Sequence, residues 1–281
     1  MANTAGVAAD LSHINSPARV SSHSGPNQLS HALYGAHVVV IPAGVPRKPG
    51  MTRDDLFNIN AGIVKTLIQG VASYCPDAWI AIISNPVNST VPIAAEVLKA
   101  SGVLNPRRLF GVTTLDVVRA NAFVGEALGI NPSDVSVPVI GGHAGKTILP
   151  VLSAASHQVN LPVEKLQELM NRIQDAGTEV VKAKAGAGSA TLSMAYAAAS
   201  FVNSCIDALH GRNNVVECAY VISSITDIPY FASPLRLGTH GIEDFLPLPR
   251  LSPLEQQNFD AMSSELKASI QKGVDFVHRA A

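Results

Sequence analysis

The sequence predicts an α/β fold: a parallel sheet with helices on both of its faces, followed by a second domain of the α+β class. Three short apolar runs rich in β-branched or aromatic residues predict buried strands, and a segment with the apolar spacing of a helix follows each run. Strands that alternate with helices form parallel sheets. The second half instead places two helical segments before two strand-like segments. We therefore expect two domains, formed by residues 1–111 and 112–281.

The elements of the first half follow one another in a regular order. The predicted strands are residues 38–41, 79–83 and 108–112. The predicted helices begin at Thr52, cover about residues 90–100 and begin again at Thr114. Ligands bind parallel sheets at the carboxyl ends of the strands. We therefore expect a binding site to be lined by the loops at residues 44–52, 84–88 and 111–114.

The second half contains longer helices and antiparallel strands. Residues 162–183 and 189–210 are predicted helices, and residues 215–223 and 229–237 are predicted antiparallel strands. The last helix has the clearest start in the chain. Ser252 suits the N-cap, Pro253 suits the first helical position, and Glu255 completes a capping box.

Composition restricts the classes of function. The net charge is −1 and no basic run occurs, so neither nucleic acid nor an acidic membrane surface is an expected partner. No apolar run is expected to reach the roughly 18–20 residues of a membrane span. The cysteines at 75, 205 and 218 are too few and too widely spaced for a disulfide framework or a zinc site, and no metal is expected. An apolar content of 47% with only 15% charged residues favours an oligomer.

The stretch Gly-Gly-His-Ala-Gly-Lys-Thr at residues 141–147 carries the most specific signal. It partly imitates a nucleotide-triphosphate loop, which needs Gly, four residues and then Gly-Lys-Ser/Thr. Ile140 stands where the first glycine of that loop is required, so a phosphate-loop ATPase is not expected. Glycines on both sides of His143 suit the close approach of a ligand. They favour a catalytic histidine over a buried structural one.

Asp116 and Arg119 lie three residues apart, on one face of a predicted helix. One interpretation is a surface ion pair that contributes about 0–1 kcal/mol. In the other, Asp116 orients a histidine ring and Arg119 binds a carboxylate. Histidine titrates near neutral pH, and an aspartate on its far nitrogen supports the imidazolium that forms when histidine acts as a base.

Two further arginines, Arg47 and Arg53, lie in a loop that contains two prolines and is bordered by Gly44. This loop is either a solvated basic segment or a mobile lid whose guanidinium groups close over an anion. Its position after a strand of a parallel sheet favours the lid.

Four motifs in this order resemble the malate dehydrogenase family, in particular the group found in mitochondria, glyoxysomes and many bacteria. They are Val-Pro-Arg-Lys-Pro-Gly-Met-Thr-Arg, Ile-Ser-Asn-Pro-Val-Asn, Thr-Thr-Leu-Asp-Val-Val-Arg-Ala-Asn and Ile-Gly-Gly-His-Ala-Gly-Lys-Thr. The resemblance covers essentially the whole chain. It implies hydride transfer between malate and NAD, a homodimer, and a location in the mitochondrial matrix or, alternatively, in the glyoxysome, peroxisome or cytoplasm.

The resemblance also implies a role for each charged candidate. His143 is the proton acceptor in malate oxidation, and Asp116 orients it. Arg119 binds the carboxylate next to the reacting carbon, Arg53 polarises the carbonyl, and Arg47 recognises the distal carboxylate. Three guanidinium groups thus match the two carboxylates of oxaloacetate and its carbonyl oxygen, which gains negative charge as it is reduced.

The cofactor contacts are implied by the same resemblance. The residues expected to contact NAD are Asn60, Ile83, Ser84, Asn85 and Met194, and Asn85 is also expected to reach the substrate.

The chain departs from the family at its beginning. Family members begin with a strand, a glycine-rich turn, a helix and a second strand that ends in an acidic residue, and the sequence before residue 38 does not match this unit. We therefore expect a truncated doubly wound, Rossmann-type sheet in which a strand near residues 19–22 is separated from the strand at 38–41. The strand at 38–41 would then be an exposed apolar edge of the sheet. The alternative to an active dehydrogenase is a non-catalytic chain that acts only by pairing with full-length subunits.

Overall fold

The structure is a computed structural model that describes residues 3–45 and 53–279. It confirms the α/β fold. The strands of its described part are β1 (Val38–Ile41), β2 (Trp79–Ile82), β3 (Leu109–Val112), β4 (Val139–Gly141), β5 (Ile148–Pro150), β6 (Val215–Ile222), β7 (Tyr230–Gly238) and β8 (Gly241–Phe245). The helices are α1 (Thr4–Ser12), α2 (Leu29–Leu33), α3 (Arg53–Tyr74), α4 (Val87–Ala100), α5 (Thr114–Leu128), α6 (Val163–Ala183), α7 (Leu192–Leu209) and α8 (Pro253–Arg279).

The three predicted strands of the first half form the parallel part of the sheet. β2 lies between β1 and β3, with Val38 paired to Trp79 and Ile80 paired to Leu109. β2 and β3 are buried along their whole length. Alternate residues of β2 enter different cores: Ile80 packs with the first half's helices, whereas Trp79 packs with α7 on the other face. Burial on both faces explains why these strands appear in the sequence as continuous apolar runs.

The first strand is an edge of the sheet, as the sequence predicts. Within the described part of the chain β1 pairs with β2 alone, and three of its four residues are only partly buried. The expected strand near residues 19–22 is wrong. Residues 18–24 have no regular secondary structure and are largely exposed. A strand needs a hydrogen-bonded neighbour, and no described strand lies beside this segment.

An antiparallel part continues the same sheet. β3 pairs with β6 through Gly111 and Tyr220, and the sheet is therefore continuous across residues 111 and 112. β6 and β7 form the predicted antiparallel pair, and β7 continues to β4, which pairs with β5. The β4–β5 hairpin brings the 141–147 stretch to the sheet.

The last helix starts as predicted. Glu255 Oε2 accepts a hydrogen bond from the Ser252 backbone N (2.7 Å), and Ser252 Oγ accepts one from the Glu255 N (3.4 Å). Farther along, α8 packs closely against α4. A Cβ on Gly273 would lie 2.3 Å from the carbonyl oxygen of Ser89, so this approach requires glycine. The contact fixes the first turn of α4, which carries part of the site described below.

Helix α7 bears on the expectation that no apolar run reaches the length of a membrane span. Within the described part of the chain, one helix, α7 (Leu192–Leu209), is long and apolar enough to cross a membrane, judged by its length and composition alone. The expectation that no segment reaches this length is therefore wrong. A single such helix is weak evidence for a membrane span, because core helices meet the same criterion.

Candidate active site

His143 lies in the connection between β4 and β5, and close packing shapes this loop. Gly141 has a φ of +101°, and a Cβ there would lie 2.3 Å from the Thr147 carbonyl oxygen. A Cβ on Gly142 would lie 2.6 Å from Thr147 Oγ1 and 2.7 Å from Asn88 Oδ1. The sequence predicts that these glycines admit a ligand. The structure shows that Gly141 and Gly142 admit neighbouring protein groups instead.

The predicted His143–Asp116 pair is formed. His143 Nδ1 lies 2.5 Å from Asp116 Oδ2. Asp116 is in the first turn of α5 and is completely buried, and the His143 side chain is 10% exposed. A buried carboxylate on Nδ1 fixes the orientation of the ring and leaves Nε2 as the nitrogen available for proton transfer.

The environment of His143 changes its pKa through opposing effects. Burial disfavours the imidazolium ion and lowers the pKa of His143, and the nearby Arg119 acts in the same direction. The charge of Asp116 and its hydrogen bond favour the imidazolium, and together they outweigh burial, so the pKa of His143 is raised above 6.5.

Arg119 belongs to the same cluster. Its Nη1 lies 3.9 Å from Asp116 Oδ1, too far for a hydrogen bond, and its side chain is 14% exposed. Burial lowers the pKa of Arg119, while the negative charges of Asp116 and Glu179 oppose this change. A guanidinium remains charged in proteins. The cluster thus combines a buried carboxylate, a histidine and a largely buried cation.

The structure adds one residue that the sequence did not single out. Asn88, in the first turn of α4, is 1% exposed, and its Oδ1 accepts a hydrogen bond from the His143 backbone N (2.7 Å). A signal was present in the sequence: an asparagine follows closely after a strand-end turn, at the start of an apolar helix. Sequence alone does not show that it meets residue 143.

Ile83, Ser84 and Asn85, three of the predicted cofactor residues, directly follow β2, and Asn60 on α3 contacts this strand end. Asn60 Oδ1 accepts a hydrogen bond from Val45 N (2.9 Å), and its Nδ2 donates one to the Asn85 carbonyl (2.9 Å). The Ser84 hydroxyl reaches the carbonyl oxygens of Ile41 (3.0 Å) and Ala43 (2.5 Å). These side chains hold the two strand ends together.

Ile83 and Met194 pack against the same core. Both are partly buried, and both pack against the core that β2, β3 and α7 form. The start of α7 therefore lies on the same side of the sheet as the end of β2. Asn85 itself is exposed at this strand end.

Two of the predicted site residues, Arg47 and Arg53, cannot be placed by their side chains within the described part of the chain. Arg47 lies outside the described residues, and Arg53 begins α3 with a side chain that is also outside them.

Across residues 3–45 and 53–279, no group of three or more His, Cys, Asp or Glu residues is placed to hold a metal ion. The cysteines are free thiols, and burial raises the pKa of Cys205 to about 12 and that of Cys218 to about 11.

The chain matches two family models. The lactate/malate dehydrogenase NAD binding domain matches residues 1–111, and the lactate/malate dehydrogenase alpha/beta C-terminal domain matches residues 113–277. Among curated proteins, it is 62% identical to the mitochondrial malate dehydrogenase of Sus scrofa, over 99% of this chain and 82% of the relative. It is 61% identical to the chloroplastic malate dehydrogenase of Arabidopsis thaliana, over 100% of this chain and 70% of the relative.

Solved structures agree with these matches. The malate dehydrogenase of Cryptosporidium parvum is 29% identical, with a TM-score of 0.80 over 95% of this chain and 86% of that one. The apo malate dehydrogenase of Picrophilus torridus is 25% identical, with a TM-score of 0.84 over 99% of this chain and 88% of that one. Sequence, fold and the His143–Asp116 pair lead to one conclusion: the chain belongs to the lactate/malate dehydrogenase family.

Proposed function

We propose that this chain oxidises malate to oxaloacetate reversibly, with NAD as hydride acceptor and His143 as proton acceptor. The observation that carries the proposal is the 2.5 Å contact between His143 Nδ1 and the completely buried Asp116. The same arrangement places a largely buried guanidinium, that of Arg119, next to the pair. The malate dehydrogenase relatives support this choice of reaction.

The nicotinamide end of the cofactor is proposed to bind beside the strand ends of β1 and β2. The strand ends of β1 and β2 are the position where parallel sheets bind ligands. Asn60 and Ser84 keep these ends together, and the partly buried Ile83 and Met194 offer an apolar surface for a flat ring. We propose that these four residues and Asn85 contact NAD, which supplies hydride-accepting chemistry when bound.

The orientation of the His143 ring indicates which of its nitrogens accepts the proton. Malate loses a hydride from the carbon that bears its hydroxyl, and the hydroxyl loses a proton. Nδ1 of His143 faces Asp116, so Nε2 accepts this proton. Asp116 stabilises the resulting imidazolium, and the same proton is returned when oxaloacetate is reduced.

Arg119 is proposed to bind the carboxylate next to the reacting carbon. Its guanidinium provides paired donors that match a carboxylate, and its low exposure strengthens the attraction. Arg53 is proposed to polarise the carbonyl, and Arg47 to bind the distal carboxylate, from the order of motifs shared with the family. Asn85 would complete the substrate contacts.

The roles of the two domains and the formation of a homodimer are also proposals. Residues 1–111 would bind the cofactor, and residues 112–281 would bind the substrate and form a homodimer. Support for pairing comes from the exposed apolar residues Leu192 and Tyr196 on α7, which are 86% and 64% exposed. Sedimentation of the purified chain at several concentrations would measure its association.

The mitochondrial matrix is the proposed compartment, because the pig relative is named as mitochondrial. The Arabidopsis relative is named as chloroplastic, so related chains also occur in another organelle. Fractionation of the source cells with an antibody to this chain would separate the matrix from the glyoxysome, peroxisome and cytoplasm.

The decisive test of the proposed function is an assay of the purified chain. We expect oxaloacetate-dependent loss of NADH absorbance, together with saturable NADH binding in calorimetric titration. Turnover would exclude the alternative of a non-catalytic subunit that only pairs with full-length chains. Absence of both turnover and NADH binding would contradict the proposal.

Substrate preference provides a separate prediction. In Arg47→Gln, the distal carboxylate loses its proposed cation, whereas a methyl group in that position needs none. We expect kcat/KM for oxaloacetate to fall by about 10²-fold or more relative to that for pyruvate. Lys48→Gln, in the next position, is the matched control and should leave the ratio unchanged. An unchanged ratio in Arg47→Gln would remove Arg47 from the distal-carboxylate role.

A further inference from the structure

A buried asparagine connects the two halves of the candidate site. Asn88 stands at the start of α4, immediately after the turn that carries Ser84 and Asn85. Its side chain crosses to the β4–β5 connection. There, Oδ1 accepts a hydrogen bond from His143 N (2.7 Å), and Nδ2 donates one to Thr147 Oγ1 (3.1 Å).

The hydrogen-bond chemistry permits only one orientation of this amide. The His143 backbone N–H can only donate, so it must face Oδ1. The Thr147 hydroxyl donates to the Ala144 carbonyl (2.7 Å), and it accepts from Ala144 N (3.1 Å) and from Asn88 Nδ2. Each group therefore has a defined role, with no alternative flip of the amide.

These bonds fix the backbone on both sides of the base. Gly142 N donates to the Thr147 carbonyl (2.7 Å), His143 N to Asn88, and Ala144 N to Thr147 Oγ1. Three consecutive N–H groups are thus held. The His143 ring, which follows this backbone, is held where Nδ1 meets Asp116 at 2.5 Å.

The asparagine is itself held firmly. The backbone carbonyl oxygen of Asn88 accepts a hydrogen bond from the buried Tyr220 hydroxyl (3.2 Å). In the same turn, Thr90 Oγ1 donates a hydrogen bond to the Ser84 carbonyl (2.8 Å). A Cβ on Gly142 would clash with the Asn88 amide, so this glycine is required by the contact. The strand-end turn and the base therefore form one connected network.

We propose that Asn88 is a positioning residue, which acts through the His143 backbone to hold the base in register with the strand-end turn that carries Asn85. The inference rests on the proposed function for its kinetic consequences. The geometric part concerns His143 alone, and it can be measured without turnover.

The first test compares two neighbouring buried residues. Asn88→Ala removes both contacts to the 142–147 segment, whereas Ser89→Ala removes a hydrogen bond of similar length, from Ser89 Oγ to the Ser269 carbonyl (2.7 Å), that does not involve this segment. The His143 imidazole is followed by NMR during a pH titration and is identified by its loss in His143→Gln. Among the described residues, the charged groups that act on it are Asp116 and Arg119.

In Asn88→Ala we expect the pKa of His143 to fall, because the loop relaxes and the hydrogen bond to Asp116 lengthens. Ser89→Ala should leave the His143 titration unchanged while lowering Tm. If the parent chain turns over, kcat should fall by about 10- to 100-fold in Asn88→Ala, as small misplacements of catalytic groups do, with little change in KM for NADH. If the parent chain is inactive, the titration still decides the question.

A second pair of variants covers the case in which Asn88→Ala does not fold. Thr147→Val removes the hydroxyl that orients the Asn88 amide, and Thr147→Ser retains it. We expect Thr147→Val to lower the pKa of His143 and Thr147→Ser to preserve it. An unchanged His143 titration in both Asn88→Ala and Thr147→Val, or in Thr147→Val alone if Asn88→Ala is unfolded, would make these residues packing groups and overturn the proposal.

Discussion

His143→Asn is expected to lower kcat for oxaloacetate reduction by about 10²- to 10⁴-fold, the contribution of a positioned acid–base group. Asparagine approximates the size of the ring but cannot exchange the proton at Nε2. The proposed cofactor residues lie just after β2 and on α3 and α7, so the substitution leaves them in place. NADH affinity in calorimetric titration should therefore change little.

The same substitution at His157 serves as the control. His157 is an exposed histidine beyond β5, and His157→Asn should retain parental kcat. Near-normal turnover by His143→Asn would remove His143 from the role of proton acceptor. Loss of NADH binding along with turnover would point to a folding defect, which circular dichroism would reveal.

Asp116→Asn is also expected to have a large effect. It retains the shape of the side chain but removes the charge that outweighs burial around His143. Burial and Arg119 then both disfavour the imidazolium, so the pKa of His143 falls below its parental value. We expect kcat to decrease by about 10²- to 10⁴-fold, because the imidazolium formed in malate oxidation loses its counter-charge.

The pH profile provides the more specific readout. Malate oxidation needs neutral His143, so its kcat/KM rises as pH increases through the pKa of His143. Oxaloacetate reduction needs the imidazolium, so its kcat/KM falls through the same pKa. In Asp116→Asn both limbs should move to lower pH. Asp134→Asn, at an exposed carboxylate, is the control and should leave the limbs in place. Unmoved limbs in Asp116→Asn would show that Asp116 does not set this pKa.

The two residues of the His143–Asp116 pair could be identified in the sequence because each carries a local and chemically specific signal. The spacing of Asp116 and Arg119 on one helix face is a property of the chain, and so is the glycine-flanked His143. The capping box at Ser252 and Glu255 is similarly local, and the structure contains it. The roles of the other residues depended on the order of whole motifs.

Other features depend on contacts between distant segments. Asn88 and His143 are 55 positions apart, and only the packing of α4 beside the β4–β5 connection brings them together. For the same reason, the sequence-based interpretation connected Gly141 and Gly142 with a ligand, whereas their missing side chains admit Thr147 and Asn88. The expected strand near residues 19–22 failed because a strand is defined by its neighbour.

The sequence by itself determined the alternation of strands and helices, the family, and the residue types of the proposed chemistry. Periodicity, caps and motifs act over a few residues, so they can be identified along the chain. The tertiary structure decided how the halves join through β3 and β6, and how Asn88 holds the base. These features arise from burial and from hydrogen bonds that form only when remote segments are packed together.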